Sequence, residues 1–378
     1  MADSKKIKQI IVHVIFSIII LIHILLSIAW LSIFTIIIWI AYWLYSSQNR
    51  FISKIRSKTI ISFPIGLIAA MLLAITLKTL FFGINYVPSE SMTNTIKPYD
   101  ILYANPLIYG PRLPSSPYEI SWIGVGLWLI NGKEADIEKE WWKYKRLKGY
   151  SSPKRNDITT FNHPCDKSIY IKRIVALPGD TLQIIDSDIY INGKKSDSPK
   201  NARFYSQVIF NNRQNAYKII NEMNINLWNN NHKIDKFNGF LTKEELKKLQ
   251  NSNEVQLATI EPEREDTAWL VYPKKEELKW NIDNYGPFIL PKKGDEIELT
   301  EQNILIYDKL IAQESADIDT LNNNYKFAHN YYFMIGDNFH DSEDSRYFGP
   351  IKEEQIIAKN TMIIFSKREK FKRFWKRL

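Results

Sequence analysis

The chain is short of cysteine. Cys165 stands alone among 378 residues, so no disulfide can form within the chain, and stability has to come from buried apolar surface. Metal-binding patterns are missing too. The six histidines are scattered, with no His-Glu-x-x-His and no paired Cys/His spacing, so neither a metal site nor a cofactor is implied. A basic nucleic-acid face is also lacking. The formal charge is +9, but residues 1–58 and 367–378 each carry seven Lys/Arg against one acid, and acids outnumber bases between them. Positive charge confined to the two ends excludes a broad nucleic-acid-binding surface.

From Ile10 to Tyr45 there is no charge, no glycine and no proline. About 36 residues of helix would reach roughly 54 Å, against a hydrocarbon core of about 30 Å. The run is therefore either one long tilted span or a tight hairpin of two. A loop at 46–58 follows, with Arg50, Lys54, Arg56, Lys58 and no acid, which the positive-inside rule places in the cytoplasm. A second apolar segment covers about 60–77; its Pro64 and Gly66 are tolerable in a membrane helix, and Lys78 can snorkel at its far end. Residues 1–83 thus read as an anchor of two or three transmembrane helices, with everything later on the outer side. The Lys5, Lys6 and Lys8 cluster favours a cytoplasmic N-terminus and the hairpin.

Beyond the anchor the pattern is mainly β. Short β-branched and aromatic runs recur, and Asn192-Gly193 within DIYINGKK marks a hairpin. Residues 84–194 and 331–366 read as one β core, and 195–330, rich in Asn and Lys, as an inserted lobe. In that lobe Thr242, with Glu245 three residues on, predicts a capped helix at TKEELKKLQ. SWIGVGLWLI (121–130) reads as a buried strand pair, with a loop dipping into the outer leaflet as the alternative. The tail 367–378 places Phe371, Phe374, Trp375 and Leu378 at helical spacing among basic residues. That spacing suits an amphipathic helix on anionic lipid, or else a frayed tail.

Chemistry concentrates in three stretches. In VPSESMTNTI, Ser89 and Ser91 are two apart, so an extended segment would show both on one face and turn Glu90 away. One hydroxyl could attack while the other donates to the developing oxyanion. A serine needs a base within reach. In SIYIKRIVALPGD, a strand would line up Tyr170, Lys172, Ile174 and Ala176, leaving Lys172 as a lone ammonium in an apolar row. Near its reference pKa only about one lysine in a few thousand is neutral at pH 7. Burial, and the like charge of Arg173, would lower that pKa. In IGDNFHDSEDSRYFGP, Asp344 and Arg346 can pair, and His340 beside Asp341 invites a Ser-His-Asp reading. No Gly-x-Ser-x-Gly elbow surrounds either serine, however.

PSESM, then DILYA, then YIKRIVALPGD, then GDN…DSEDSRYFGP, following membrane spans, resembles the bacterial type I signal peptidase family, in the order and spacing of that family. YGPRLPSSP (109–117) and the WWKYKRLKGY…KRND stretch look like a branch with an enlarged extracytoplasmic domain. The recognisable motifs cover 84–180 and 331–360. The resemblance implies a signal-peptidase-like antiparallel β fold and a membrane-bound serine endopeptidase of the inner membrane. It would remove signal peptides from secreted preproteins after Ala-x-Ala-type sequences. By the same resemblance Ser91 is the nucleophile and Lys172 the general base, and Ser89 joins the Ser91 N–H in the oxyanion hole. Ser342 orients the lysine, with Asp337, Asp344 and Arg346 as structural support. Membrane lipid and preproteins are the implied partners; nucleic acid is not. Phe339 stands where the family commonly has Arg, and Glu90 where a small residue is frequent. Two other readings remain at this point: a Ser/Lys processing peptidase with narrow substrates, and an inactive membrane-tethered homologue.

Overall fold

The computed structural model describes residues 2–25, 35, 36, 38–40, 42, 73, 74, 77, 78, 80–120, 123–132, 141–166, 168–229, 235–262, 271–314 and 323–378. The chain divides into two compact units, 1–83 with 105–152, and 84–104 with 153–378.

In the first unit a helix runs over Ala2–Leu25. Residues 35, 36, 38–40 and 42 are also helical. Trp39 Nε1 donates to His13 Nδ1 at 2.6 Å, and the Trp39 ring stacks on Phe16. A continuous helix would hold residues 13 and 39 about 39 Å apart, so these two described segments do not belong to one straight helix. Among the described residues no helix is long and apolar enough to cross a membrane. The basic loop 46–58 and most of 60–77 lie outside the described residues.

The expected strand pair at 121–130 is instead a helix, Ile123–Asn131. Four of its apolar side chains are exposed: Leu129 is 70% and Ile130 80% open, with Val125 and Trp128 also open. An unbroken apolar run carries no period of its own, so only the backbone's surroundings choose between helix and strand.

The second unit is mainly β, as expected. Its largest sheet runs Gly83–Tyr86, Asp100–Asn105, Ile356–Ser366, Ile158–Asn162, Ile169–Ala176, Tyr331–Ile335 and Ile351–Lys352, with Lys376–Arg377 pairing beside Ile356–Ser366. The paired registers are antiparallel, with Lys172 opposite Thr159 and Arg173 flanked by Ile158 and Ile335. A second sheet joins Tyr285–Ile289, Thr181–Ile185, Asp188–Ile191 and Lys194–Lys195. Its last hairpin turns at Asn192 and Gly193, with φ of 52° and 76°. Left-handed values at both turn positions are what an Asn-Gly hairpin requires.

The stretch expected as a single lobe, 195–330, does not stay together. Residues 203–262 form a small sheet in the order Leu227–Trp228, Lys236–Thr242, Arg203–Phe210 and Val255–Ile260. Helices Arg213–Met223 and Lys243–Gln250 pack on it around a separate core that includes Val208, Phe237, Leu241 and Leu249. The Thr242–Glu245 capping box forms in both directions. Residues 271–327 belong elsewhere. Tyr272, Tyr285, Phe288, Tyr307 and Phe327 share one core with Leu182, Ile184 and Phe333 of the β body. The Asn and Lys content hid a set of buried aromatics that the neighbouring sheet needs.

The tail departs furthest from expectation. Instead of a helix over 371–378 there is one turn of 3₁₀ helix at Phe371–Arg373, then the Lys376–Arg377 strand. Arg373 Nη2 donates to Asp100 Oδ2 at 2.9 Å, with both side chains buried. Leu378 packs against the cluster of Val87, Met92, Ile96 and Leu102. A charge pair out of water and a strand ladder outweigh a helix that could bury only one face. Arg373→Ala should therefore cost about 3–5 kcal/mol, because Asp100 is left charged and buried; urea unfolding reads the loss.

Candidate active site

The short strand Gly83–Tyr86 leads into a turn that carries Ser91, held on a floor of Val87, Met92 and Ile96. The backbone is bent here rather than extended, with Thr93 N–H donating to the Glu90 carbonyl and Ile96 N–H to that of Met92. Ser89 Oγ still lies 3.4 Å from Ser91 Oγ. The bend has a second consequence: Glu90, expected to face away, lines the same groove as the two serines.

Lys172 comes from the middle of the Ile169–Ala176 strand. Only 3% of it is exposed, and its Nζ lies 2.5 Å from Ser91 Oγ. Burial lowers its pKa from 10.5 to about 8; the Asp344 carboxylate pulls it back up and the Arg346 guanidinium pushes it down. Desolvation was the expected cause. The expected neighbour was wrong: Arg173 points to the other face of the strand and grips Asp337 with two hydrogen bonds, at 2.7 and 2.6 Å.

Asp337 is buried and works as a tie. Besides Arg173 it accepts from Thr95 Oγ1, and its own N–H meets Met92 Sδ at 3.3 Å. It thus joins the nucleophile turn to the lysine strand. Asp344 and Arg346 are fully buried and form a bidentate pair, with both bonds at 2.8 Å. The Arg346 guanidinium lies over the Phe339 ring, 4.0 Å from its centroid. This gives the departure at Phe339 a use: an apolar ring seats a buried cation where a second arginine would repel it.

Ser342 departs from the role expected of it. Its Oγ is buried and makes no hydrogen bond, so the amine of Lys172 is not held by it here. His340 takes no part with the serines. Its Nδ1 accepts from the Tyr205 N–H and its Nε2 meets Asp283 at 2.9 Å, which ties the small lobe to the catalytic loop.

The groove itself is about 550 Å³ and is lined by residues 84–92, Ile96, 169–172, Asp341 and Glu343. Among the described residues two free strand edges border it. Gly83–Tyr86 ends the sheet, and residues 169–172 pair with Ile158–Asn162 on one side only, because Tyr331–Ile335 reaches no further than Arg173. A nucleophile, a desolvated base and two open edges can hold an extended peptide and attack its carbonyl. Among the described residues no cluster of His, Cys, Asp and Glu could hold a metal ion.

Comparison with known proteins places this geometry. The chain matches the family described as "Signal peptidase, peptidase S26" over residues 60–259 and 289–365. It belongs to that family. A signal peptidase I of Buchnera aphidicola subsp. Baizongia pistaciae (strain Bp) is 24% identical over 313 residues, covering 82% of this chain and 77% of its own. One from Rickettsia prowazekii (strain Madrid E) is 34% identical over 124 residues, covering 32% of this chain and 40% of its own. Among solved structures, a signal peptidase I from Enterococcus faecalis V583 shares 18% identity and covers 56% of this chain and 97% of its own, with a TM-score of 0.23.

Two residues of this S26 peptidase were not singled out from the sequence. Asn338 N–H donates to the Ser91 carbonyl at 2.9 Å. Gly336 leaves room for the loop: a Cβ there would sit 2.1 Å from Ser342 Oγ and 2.6 Å from the Ser91 carbonyl oxygen. Both lie in the GDN box, whose place in the family order was the available signal. Gly336→Ala must push the nucleophile turn away from the loop. A displacement of about 1 Å at a reacting group costs on the order of 100-fold, so kcat should fall by that much while the far-UV circular dichroism stays the same.

Proposed function

We propose that this chain is a membrane-bound serine endopeptidase that removes N-terminal signal peptides from exported preproteins, cleaving after small residues. The 2.5 Å contact between Lys172 Nζ and Ser91 Oγ, inside a groove with two free strand edges, carries the reading. The preprotein adds as an extended strand with its scissile carbonyl over Ser91. Neutral Lys172 takes the Ser91 proton as Oγ bonds to that carbonyl carbon. Ser89 Oγ and the Ser91 N–H donate to the oxyanion. Lys172, now an ammonium, returns the proton to the departing amine, and the acyl-enzyme is released by water activated by the same amine. Asp337, Asp344 and Arg346 hold the loop and strand in register. The intact dyad argues against an inactive tethered homologue.

The anchor fits this use. Ile10, Ile11, Val14, Ile15, Ile18 and Leu21 are exposed on the first helix, and the contact of His13 with Trp39 supports a fold-back within the 10–45 run. Three crossings then put the N-terminus and the 46–58 loop in the cytoplasm and the groove on the outer face of the inner membrane. Residues 78 to 91 span at most about 45 Å when extended, so cleavage happens near the lipid surface. The test is a detergent-purified preparation given a preprotein that ends its signal in Ala-x-Ala. Cleavage at that bond, lost in Ser91→Ala, is expected; equal cleavage by the variant would overturn the reading.

A further inference from the structure

The helix Ile123–Asn131 plays no part in the peptidase chemistry, and its composition is unusual for a surface element. From Trp122 to Ile130 no side chain carries a charge or a hydroxyl. Val125, Trp128, Leu129 and Ile130 are exposed all the same. At about 100° per residue those four cover an arc of roughly 200°, more than half of the circumference. A helix on the surface of a soluble domain turns a polar face to water. This one turns apolar side chains there.

Its first turn is fastened and its far end is open. A Cβ on Gly124 would sit 2.1 Å from the Tyr118 carbonyl oxygen, so glycine lets the helix press against that backbone. The Gly124 N–H donates to the Ile120 carbonyl at 2.8 Å. Glu119 in turn accepts from the Ser115 N–H at 2.9 Å and from its hydroxyl at 2.8 Å. The Ser115 carbonyl then accepts from the N–H groups of Trp141 and Trp142, at 2.9 and 3.2 Å, and Trp142 Nε1 donates to the Pro114 carbonyl. One turn, residues 114–120, thus carries both the apolar helix and a pair of open indoles. Trp128, Trp141 and Trp142 are 45–57% exposed. At about 200 Å² per ring system the three leave roughly 300 Å² uncovered. Val125, Leu129 and Ile130 carry the apolar area past what scattered surface residues account for.

The chemistry of the patch fits lipid. Indoles favour the level of the headgroups, and aliphatic side chains the acyl region beneath them. The helix satisfies its own backbone, as a segment leaving water must. Nine residues reach only about 13.5 Å, far short of a hydrocarbon core of about 30 Å, so it cannot cross. The charged run that begins at Lys133 follows at once, which keeps the helix along the surface of the leaflet. The same compact unit contains the first helix, whose Ile11, Ile18 and Leu21 are open as well.

We infer that Ile123–Asn131, with Trp141 and Trp142, is a second lipid contact of this chain, lying along the outer leaflet about 5–10 Å into the boundary of headgroups and acyl chains. This rests on the topology that puts everything after residue 83 on the outer side, and not on the Ser91–Lys172 chemistry.

The test uses the full chain, one copy per lipid nanodisc, with the exposed Cys165 changed to Ser. A single environment-sensitive NBD label is placed at Leu129→Cys or, in a separate protein, at Leu21→Cys in the anchor. The label at 129 should emit to the blue of the same label in urea and resist aqueous iodide. It should lose more emission to a nitroxide high on the lipid acyl chain than to one near the chain's end. The label at 21 should be quenched by lipid nitroxide too. Ile130→Cys repeats the measurement at the most open side chain of the helix, where a label displaces no packing. Full iodide quenching at 129 and 130 with lipid quenching at 21 overturns the contact and leaves the anchor standing. Protection from both iodide and lipid nitroxide means that protein covers the helix, and overturns the contact equally. No lipid quenching at any of the three positions brings down the membrane topology as well.

Discussion

Lys172→Ala should lower kcat/KM by at least about 10⁴-fold, the scale of loss when a base that works as a unit with its nucleophile is removed. Lys172→Arg should fare no better, because a guanidinium does not give up its proton in the working range. The unaltered protein should lose activity about tenfold per pH unit below about 8, where burial places the pKa of this lysine and the neutral base runs out. Glu343 holds that pKa up, so Glu343→Gln should move the acid limb to lower pH. A rate that stays flat from pH 6 to pH 9 with chemistry limiting would sink the assignment of Lys172 as base.

The same burial has a stability cost with a defined sign. The folded pKa, about 8, lies below the ordinary 10.5, so between those values the unfolded chain binds a proton that the folded chain does not. The penalty is complete below about pH 8 and disappears as pH rises through 10.5. Lys172→Met removes it, and at pH 7 the inactive variant should be the more stable by as much as roughly 3 kcal/mol in urea unfolding. Function and stability pull apart at this residue.

The second large effect is structural. Arg346→Ala should cost about 3–5 kcal/mol, since it strands a fully buried carboxylate. Asp344 loses both of its bonds to the guanidinium and keeps only the donors of its own loop, among them the Gly336 N–H at 3.0 Å. Replacing both partners, Asp344→Leu with Arg346→Met, should cost clearly less than the single change, because no charge is left in the interior. Denaturant midpoints of the three proteins check this. A single variant that matched the unaltered chain would mean the pair is worth nothing.

These effects rest on features that the sequence displayed unequally. Ser91, Lys172, Asp337, Asp344 and Arg346 were all legible, because each sits in a short box whose residues touch one another or fall into one family order. The Asn192-Gly193 hairpin and the Thr242–Glu245 cap were legible for the same reason: both are contacts between residues at most three apart. Glu90 was misjudged because the alternation of a strand was assumed where the chain bends. Ser342 was expected on the lysine, but its hydroxyl faces no partner. The 121–130 run was misread because an unbroken apolar run carries no period, and the tail because an apolar period was the whole of its signal.

What the sequence determined alone was local: which residues can attack, cap, turn or lie apolar in a row, and the order in which they come. Tertiary structure decided where each of those rows found its partner. Arg373 meets Asp100 across 273 residues, Asp337 ties Thr95 across 242, and Lys172 reaches Ser91 across 81. A side chain's pKa, its burial and its charge partners belong to such meetings. They depend on the solvent that the whole fold excludes, and no window of neighbouring residues contains that information.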